Sequence, residues 1–374
     1  MSHTSVPEHV RYRLWGRAGG RCQYPGCNRP LWADDVTKAE FNVAYVAHIV
    51  ADKPGGPRGD PIRSPQLAGE LSNLMLLCDA HHRLIDKGDP DGHPEERLLL
   101  MKGEHEDRIV RVTGVARERR SDVLLYGANI GEKVKLPTFR QAAEAMLPEW
   151  YPARDRAAEL SLVNSWKKDS EKDYWAIEEE NLRRGFHSEL RPLVRAPGSH
   201  LSVFAVAPQP LLVLLGRLLG DLPEVEVYQL HREPTTWNWL SDTAQQQTLL
   251  VEEPSAPADG PPALVLSLSG SIAKDRIEAV LPRANMWRVT IGVPNNDYLK
   301  TRVQLREFRE RLRLLLDRIK LVHGSAGPLH VFPAAPVAAC VELGRIIMPK
   351  ADLPMRLYDE SEGRFHHVMD LPAD

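Results

Sequence analysis

Four residues that prefer transition metals form two close pairs in the first eighty residues. Cys22 and Cys27 are separated by four residues, and Cys78 and His81 by two. Zinc prefers four thiolate or imidazole ligands in a tetrahedron, and a short spacing lets one turn present both ligands of a pair. Because closely spaced cysteines in a reducing compartment are metal ligands more often than disulfides, the spacing predicts a structural zinc site. The alternative is two chance clusters of small buried residues.

Residues suited to phosphodiester hydrolysis lie between and beside these pairs. His48 stands in VAYVAHIVADKPGGPRGD, Asn73 precedes LMLLC, and His82 directly follows His81. Hydrolysis needs a base that deprotonates water and positive charge on the phosphate. A histidine is neutral enough near pH 7 to accept that proton, so His48 is the candidate general base. His82, at the start of a helix, is the candidate ligand of a catalytic Mg²⁺ or Mn²⁺.

In this order, with the metal pairs interleaved, the residues resemble the HNH nucleases of the ββα-metal type. The matching segments are AHI, GGPRGD, NLMLLC and AHHRLID, within roughly 11–111. The resemblance implies that Asn73 hydrogen-bonds to backbone and holds the loop of His48. It also implies that His81 takes the fourth zinc position, although the adjacent pair leaves an exchange with His82 open.

One departure from the HNH pattern concerns the catalytic ion. Many of these enzymes carry an aspartate directly before the base histidine, and here that position is Ala47. Asp60, Asp86 or water must then complete the coordination. Arg58 and Asp60 either form a loop salt bridge or contact phosphate and metal. His93 is expected at the surface.

The elements that position these residues divide the chain into three parts. We expect a small metal-held nuclease domain over 1–113, a linker with connecting helices over 114–150, and a larger domain over 151–374. In the last part apolar strands alternate with amphipathic helices, which predicts a largely parallel sheet covered by helices. The fold class is therefore α/β.

An internal repeat lies within the larger domain. Residues 201–219 (LSVFAVAPQPLLVLLGRLL) align without gaps on 329–347 (LHVFPAAPVAACVELGRII), with nine of nineteen positions identical. Apolar helices match by chance at Leu and Val, but hardly also at an Ala-Pro turn and a Gly-Arg pair. The repeat predicts two related βα units and a pair of Rossmann-like halves.

A nuclease domain joined to such halves resembles the HNH–SAVED effectors of bacterial cyclic-oligonucleotide anti-phage signalling (CBASS). The resemblance implies a SAVED domain made of two fused CARF-like halves. It implies an enzyme that stays inactive until a cyclic di- or trinucleotide binds. Binding then drives a homo-oligomer from dimer to tetramer or higher, and the HNH domains degrade double-stranded DNA.

The expected messenger site lies where parallel strands end, because backbone N–H groups and helix N-termini face phosphate there. Lys300 and Arg302 either neutralise phosphate or are solvated, and Trp237 and Trp239 either stack on a base or pack under a loop. The residues predicted at the strand ends are Pro208, Gln209, Ser269, Ser271, Ala334, Ala335 and Pro336.

The net charge, the apolar runs and the glycine motifs of the sequence argue against several other classes of protein. A net charge of −3 gives no global attraction to nucleic acid, so a DNA-binding surface must be local. No apolar run approaches the roughly 20 residues that cross a bilayer, so we expect a cytoplasmic protein without membrane contact. A nicotinamide enzyme would need a G-x-G-x-x-G turn after a strand, and none occurs. The alternative that remains is a zinc-dependent DNA-binding regulatory protein with a nucleotide-sensing domain and no catalysis.

Overall fold

The computed structural model of the protein describes residues 6–34, 36–128, 136–160, 171, 173–194, 198–220, 224–240, 247–254, 260–325 and 327–372. The chain divides into two compact units, Met1–Val115 and Ala116–Asp374. Each unit has its own hydrophobic core. Within the described ranges, no helix is both long and apolar enough to cross a membrane.

The first unit is built on a hairpin followed directly by a helix. In chain order its elements are α1 (Glu8–Arg17), β1 (Ala44–His48), α2 (Arg63–Leu67), β2 (Leu74–Cys78), α3 (Asp79–Arg83) and α4 (Glu95–Thr113). Strands β1 and β2 are antiparallel, with His48 opposite Leu74. Every residue of β2 is buried, in a core that it shares with Val10 and Leu14 of α1. Because α3 begins at the residue after β2, the hairpin and helix form a ββα arrangement.

The second unit alternates strands and helices. Its elements are β3 (Arg120–Gly127), α5 (Phe139–Met146), β4 (Tyr151–Pro152), β5 (Ala158–Glu159), α6 (Tyr174–Gly185), α7 (Arg191–Val194), β6 (Leu201–Val206), α8 (Gln209–Leu219), β7 (Val225–Tyr228), β8 (His231–Arg232), β9 (Thr235–Thr236), β10 (Leu250–Glu252), β11 (Pro262–Ser267), α9 (Lys274–Glu278), β12 (Asn285–Thr290), α10 (Arg302–His323), β13 (Leu329–Ala334), α11 (Val337–Ile346), β14 (Met355–Ser361) and β15 (Arg364–Leu371).

Two sheets organise this unit. The first has the order β4-β3-β6-β7 with parallel neighbours, and β5 also pairs with β3. The second has the order β10-β12-β11-β13-β14-β15. Its four central strands are parallel, and its edge strands β10 and β15 are antiparallel to their neighbours. The mixed α/β architecture with a largely parallel sheet in each half agrees with the expectation from the sequence.

The internal repeat forms two equivalent βα units, one in each sheet. Strand β6 leads into α8 and β13 into α11, each through a proline that caps the helix. The two helices pack against each other at their shared glycines. A Cβ at Gly216 would lie 1.9 Å from the carbonyl oxygen of Val341, and one at Gly344 would lie 2.0 Å from that of Val213. Both copies of the repeat therefore have glycine at this position because the two helix backbones touch there.

The structure corrects the expected linker over 114–150. Its residues Arg120–Gly127 form β3, which pairs with β6 over six residues within the first sheet. The charged run that ends at Arg120 hides the start of this strand, but residues from Val123 onward are buried in the core. The second unit accordingly begins near Ala116 instead of near 151.

Candidate functional site

The two metal-binding pairs of the first unit come together. One ligand atom from each of Cys22, Cys27, Cys78 and His81 lies within 4.8 Å of the other three. His81 Nδ1 is 3.1 Å from Cys78 Sγ and 3.6 Å from Cys22 Sγ. Three sulfur atoms and one imidazole nitrogen are a donor set that suits zinc. The cluster therefore fits the predicted structural metal ion.

Local structure explains how each pair reaches this cluster. Gly26 has φ +80°, a left-handed conformation that favours glycine and tightens the turn between Cys22 and Cys27. Cys78 ends β2, and His81 follows in the first turn of α3. The Cys78 amide also donates to Cys22 Sγ at 3.4 Å, which ties the two pairs together.

Burial governs the charge of this cluster. The pKa of the Cys22 thiol is raised to about 12, chiefly by desolvation, and the neighbouring thiols act in the same direction. A buried thiolate is unfavourable without a positive partner, and a coordinated divalent cation supplies that partner. Desolvation also lowers the pKa of His81, which keeps its imidazole neutral and able to coordinate. The electrostatics thus favour a cluster that holds a cation.

His48 lies at the end of β1 and is almost fully buried. Its Nε2 is 3.0 Å from the carbonyl oxygen of Ala68. A carbonyl only accepts, so Nε2 carries the proton of the neutral ring and Nδ1 keeps its lone pair. The side chain is therefore fixed in the tautomer that leaves Nδ1 as the proton acceptor.

Asn73 holds the segment that follows His48. Its side-chain oxygen accepts from the Val50 amide at 2.8 Å, and its Nδ2 donates to the Val50 carbonyl at 2.9 Å. Its own carbonyl accepts from the Ile49 amide at 2.8 Å. Asn73 therefore holds the backbone of Ile49 and Val50 through three hydrogen bonds.

His82 points to a different set of partners from its neighbour His81. Its ring stacks on Tyr45 of β1, with ring centroids 4.9 Å apart. Its Nε2 lies 3.2 Å from Asp86 Oδ2, and the other oxygen of Asp86 accepts from Arg58 Nη2 at 2.9 Å. A histidine whose second nitrogen faces a carboxylate is a common form of metal ligand. Among the described residues, however, His48, His82 and Asp86 do not form a second cluster of three ligand atoms.

The sequence has Ala47 where many HNH enzymes have an aspartate, which left Asp60 and Asp86 as alternative ligands of the catalytic ion. The structure shows where these residues lie. Ala47 is buried in the core of the first unit. Asp60 accepts from the backbone amides of Ile62 and Arg63, at 2.9 and 2.7 Å, so its carboxylate caps α2. Asp60 therefore has a structural role, and Arg58 pairs with Asp86 instead of with Asp60.

His93 was expected at the surface, but only 2% of it is exposed. Its Nε2 is 3.1 Å from the hydroxyl of Tyr24, whose ring stacks on His81 with centroids 4.1 Å apart. Tyr24 therefore packs against the ring of His81, and His93 fixes the hydroxyl of Tyr24. The sequence offered little sign of this contact, because His93 lies in a polar loop of prolines and aspartates.

In the second unit, the strand ends predicted to bind the messenger do meet. The Ala335 amide donates to Gln209 Oε1 at 3.1 Å, so the N-terminus of α8 contacts the turn before α11. The Ser269 amide donates to the Ala334 carbonyl at 2.7 Å. We call this region the carboxyl-end surface, and its residues are Pro208, Gln209, Ser269, Ser271, Ala334, Ala335 and Pro336.

The structure separates the two tryptophans whose role the sequence left open. Trp237 is 7% exposed and packs edge-on against Phe204 in the core, so it has no free face for a base. Trp239 lines a cavity instead. Lys300 does not extend freely either, because its Nζ is 2.8 Å from Asp297 Oδ2. Of the two alternatives for Trp237, stacking on a base or packing under a loop, the structure shows packing.

A cavity of about 520 Å³ lies along β7 and the first turns of α10, and we call it the β7–α10 cavity. His200 in its wall stacks on Trp150 at 3.5 Å between centroids, and burial lowers its pKa to about 4. Arg302 there forms ion pairs with Glu226 and Glu149. The residues around the cavity are Arg119, Trp150, His200, Glu224, Val225, Glu226, Val227, Trp239, Arg302, Val303, Leu305, Arg306, Arg309 and Glu342. Of these, the sequence had singled out Trp239 and Arg302.

Two related βα units, packed helix against helix, give the second unit a duplicated Rossmann-like fold. The chain belongs to the SAVED family, since residues 182–371 match the family model described as "SMODS-associated and fused to various effectors sensor domain". The match covers about half of the chain and lies within the second unit.

Solved structures similar to this chain include SAVED/CARF-domain receptors. The Acinetobacter baumannii Cap4 receptor with the cyclic trinucleotide 2′3′3′-cAAA aligns at 13% identity and TM-score 0.40, over 74% of this chain and 56% of that one. The same receptor with 3′3′3′-cAAA aligns at 13% identity and TM-score 0.39, over 74% and 55%. The Moraxella osloensis Cap4 receptor aligns at 12% identity and TM-score 0.35, over 72% and 54%. The chain thus spans just over half the length of these receptors. A search of curated proteins found no match.

Proposed function

We propose that this protein is a metal-dependent DNA endonuclease effector that a cyclic di- or trinucleotide activates by binding to the SAVED domain. The observation that carries the nuclease part is the buried His48 at a strand end, with Asn73 fixing its loop. It stands in a ββα arrangement beside a three-cysteine, one-histidine cluster. The SAVED family assignment supports the sensor part.

His48 acts as the general base in this proposal. Because Nε2 donates to the Ala68 carbonyl, Nδ1 accepts the proton of the attacking water. The carbonyl of Ala68 also stabilises the imidazolium that results, since its oxygen faces the N–H of the charged ring. Asn73 keeps the following backbone in place, so the ring approaches the phosphate in a single orientation.

His82 would hold the catalytic Mg²⁺ or Mn²⁺ through Nδ1, because Asp86 occupies its Nε2. When bound, such an ion stabilises the negative charge of the pentavalent phosphate and of the departing 3′ oxygen. Both oxygens of Asp86 already have partners, and Asp60 caps a helix. Water and the phosphate of the substrate would then complete the coordination.

The messenger binds at the carboxyl-end surface in this proposal. Residues of both βα units touch there, so one ligand contacts both halves. One SAVED/CARF-domain receptor, Acinetobacter baumannii Cap4, is described with two different cyclic trinucleotides. Ligand binding would favour the assembled homo-oligomer by its differential affinity for that state. Degradation of double-stranded DNA by the assembled protein would serve anti-phage defence.

The experiment that tests the nuclease is plasmid cutting by wild type and His48→Ala, with and without EDTA. We expect His48→Ala to lose at least 100-fold in cutting rate, because the loss of a general base typically costs 10²–10⁴-fold. Its messenger affinity and zinc content should match wild type. EDTA should stop cutting by wild type, and added Mg²⁺ or Mn²⁺ should restore it.

Wild-type cutting rates in His48→Ala would remove this residue from the mechanism. A wild-type protein that binds DNA and the messenger, but cuts under no condition, would favour the non-catalytic DNA-binding regulator.

A further inference from the structure

The β7–α10 cavity lies where the parallel strands of the first sheet begin. Four of its residues, Arg119, Trp150, His200 and Glu224, directly precede β3, β4, β6 and β7. Because these strands are parallel neighbours, their first residues share one edge of the sheet. The carboxyl-end surface lies at the other ends of the strands, about 20 Å away along the six residues of β6. The cavity is therefore separate from the surface where we expect the messenger.

The size and the walls of this cavity suit a small molecule with a planar ring. Its volume of about 520 Å³ lies within the roughly 300–1,000 Å³ of small-molecule sites. Trp239 and the stacked rings of Trp150 and His200 give it aromatic walls, and Val225 and Val303 add aliphatic surface. Nucleobases stack readily on aromatic side chains, so a base is a suitable ring.

Most charges around the cavity neutralise one another. Arg302 forms ion pairs with Glu226 and Glu149. The Nε of Arg309 lies 3.0 Å from Oε2 of Glu342, whose side chain is only 2% exposed. Carboxylates of the protein thus already hold these two guanidiniums, which leaves them less able to attract an anionic ligand.

Two other arginines of the cavity are free to bind an anion. Arg119 and Arg306 are exposed, and neither forms an ion pair within the part of the chain that the structure describes. The guanidinium of Arg119 lies 4.7 Å from the ring centre of Trp150, which holds it against the wall. Glu224 is likewise exposed and unpaired among the described residues, and its oxygens can accept from the amino group of a base. The free groups are therefore two cations and one acceptor.

We propose that the β7–α10 cavity is a second ligand site, which binds a nucleoside monophosphate through Arg119, Arg306 and its aromatic walls. A phosphomonoester carries a charge of about −1.5 to −2 near pH 7, and guanidiniums bind its oxygens in a fork. Two unpaired arginines match that charge, whereas each phosphodiester of a cyclic nucleotide carries a single charge. This site goes beyond the proposed function and does not depend on it.

The test is calorimetric titration of the full chain with 5′-GMP and 5′-AMP. We expect saturable binding of one nucleotide per chain. Guanosine and adenosine, which lack the phosphate, should bind at least tenfold more weakly, because hydrogen bonds to a charged group typically change affinity about 10–100-fold. A cyclic nucleotide at saturation of its own site should leave the Kd of 5′-GMP unchanged.

Two variants remove the free charges one at a time. Arg306→Gln and Arg119→Gln change exposed side chains, so both should keep the melting temperature of wild type. Each should raise the Kd of 5′-GMP about 10–100-fold. The matched control is Arg311→Gln, which removes an arginine of the same helix that pairs with Glu307 and does not line the cavity. That control should bind 5′-GMP like wild type.

Three results would overturn the inference. The first is no saturable binding of 5′-GMP or 5′-AMP by wild type at millimolar concentration. The second is an unchanged Kd in both cavity variants. The third is displacement of 5′-GMP by a cyclic di- or trinucleotide whose own affinity falls in Arg306→Gln, since the cavity would then be the messenger site and not a second one.

Discussion

Adjacent histidines 81 and 82 have separate partners because they lie on a helix. Successive side chains of an α-helix point about 100° apart, so neighbours in sequence cannot serve one site. His81 faces the three cysteines and Tyr24, whereas His82 faces Tyr45 and Asp86. In this structure His81, and not His82, lies with the three cysteines.

A prediction at this scale concerns the metal ligands. Cys78→Ser should lose zinc and unfold the first unit, because structural zinc contributes about 10 kcal/mol or more to the folding of small domains. Cys340→Ser is the matched control, since Cys340 is equally buried but lies in α11, outside the cluster. Elemental analysis should find one zinc per chain in wild type and in this control, and none in Cys78→Ser. A Cys78→Ser protein that keeps its zinc and its melting transition would contradict the assignment.

Single residues show how far sequence reasoning reached. The ligand pairs were predictable because spacing alone limits which side chains one turn can present. The pairing of Arg58 with Asp86 was not, because it joins residues 28 positions apart. Trp237 and Trp239 differ by two positions in the same loop, and only their packing separates the buried ring from the one at a cavity.

At the scale of the elements, the contact between α8 and α11 joins the two halves of the SAVED unit. Gly216 and Gly344 lie where each helix touches the backbone of the other. The repeat in the sequence predicted both βα units, because identical turns and glycines persist where two backbones must meet. Strand β3 was missed because its first residue ends a run of charges and its partner β6 lies some eighty residues away.

Gly216→Ala tests this contact between helices. The added methyl would lie 1.9 Å from the carbonyl oxygen of Val341, so the helices must separate. Overpacking of this kind costs roughly 1–3 kcal/mol, which should lower the melting temperature of the second unit by several degrees. Gly103→Ala in α4 is the control, because no atom lies within 4 Å of its added Cβ and alanine favours a helix. If calorimetry gives Gly216→Ala a melting temperature equal to or above that of wild type, the two helices do not pack closely at this position.

At the scale of the whole molecule, the protein joins a small unit with a metal-binding cluster to a SAVED unit. In the proposed function, a cyclic nucleotide activates DNA cutting only through its differential affinity for the active assembly. A negative charge at the carboxyl-end surface, as in Ser269→Glu, should repel phosphate and raise the messenger concentration that gives half-activation. Arg306→Glu makes the same kind of change at the β7–α10 cavity, and it tests whether that cavity takes the messenger instead.

The central claim is that messenger binding and DNA cutting are coupled in one chain. The most direct measurement is the rate of plasmid cutting by the full chain against the concentration of each member of a panel of cyclic di- and trinucleotides. We predict negligible cutting without a messenger, and a saturable rise with one or a few members of the panel. Ser269→Glu should shift that rise to higher concentration. Full-rate cutting without any messenger, or no cutting at concentrations where calorimetry shows saturated binding, would contradict the coupling.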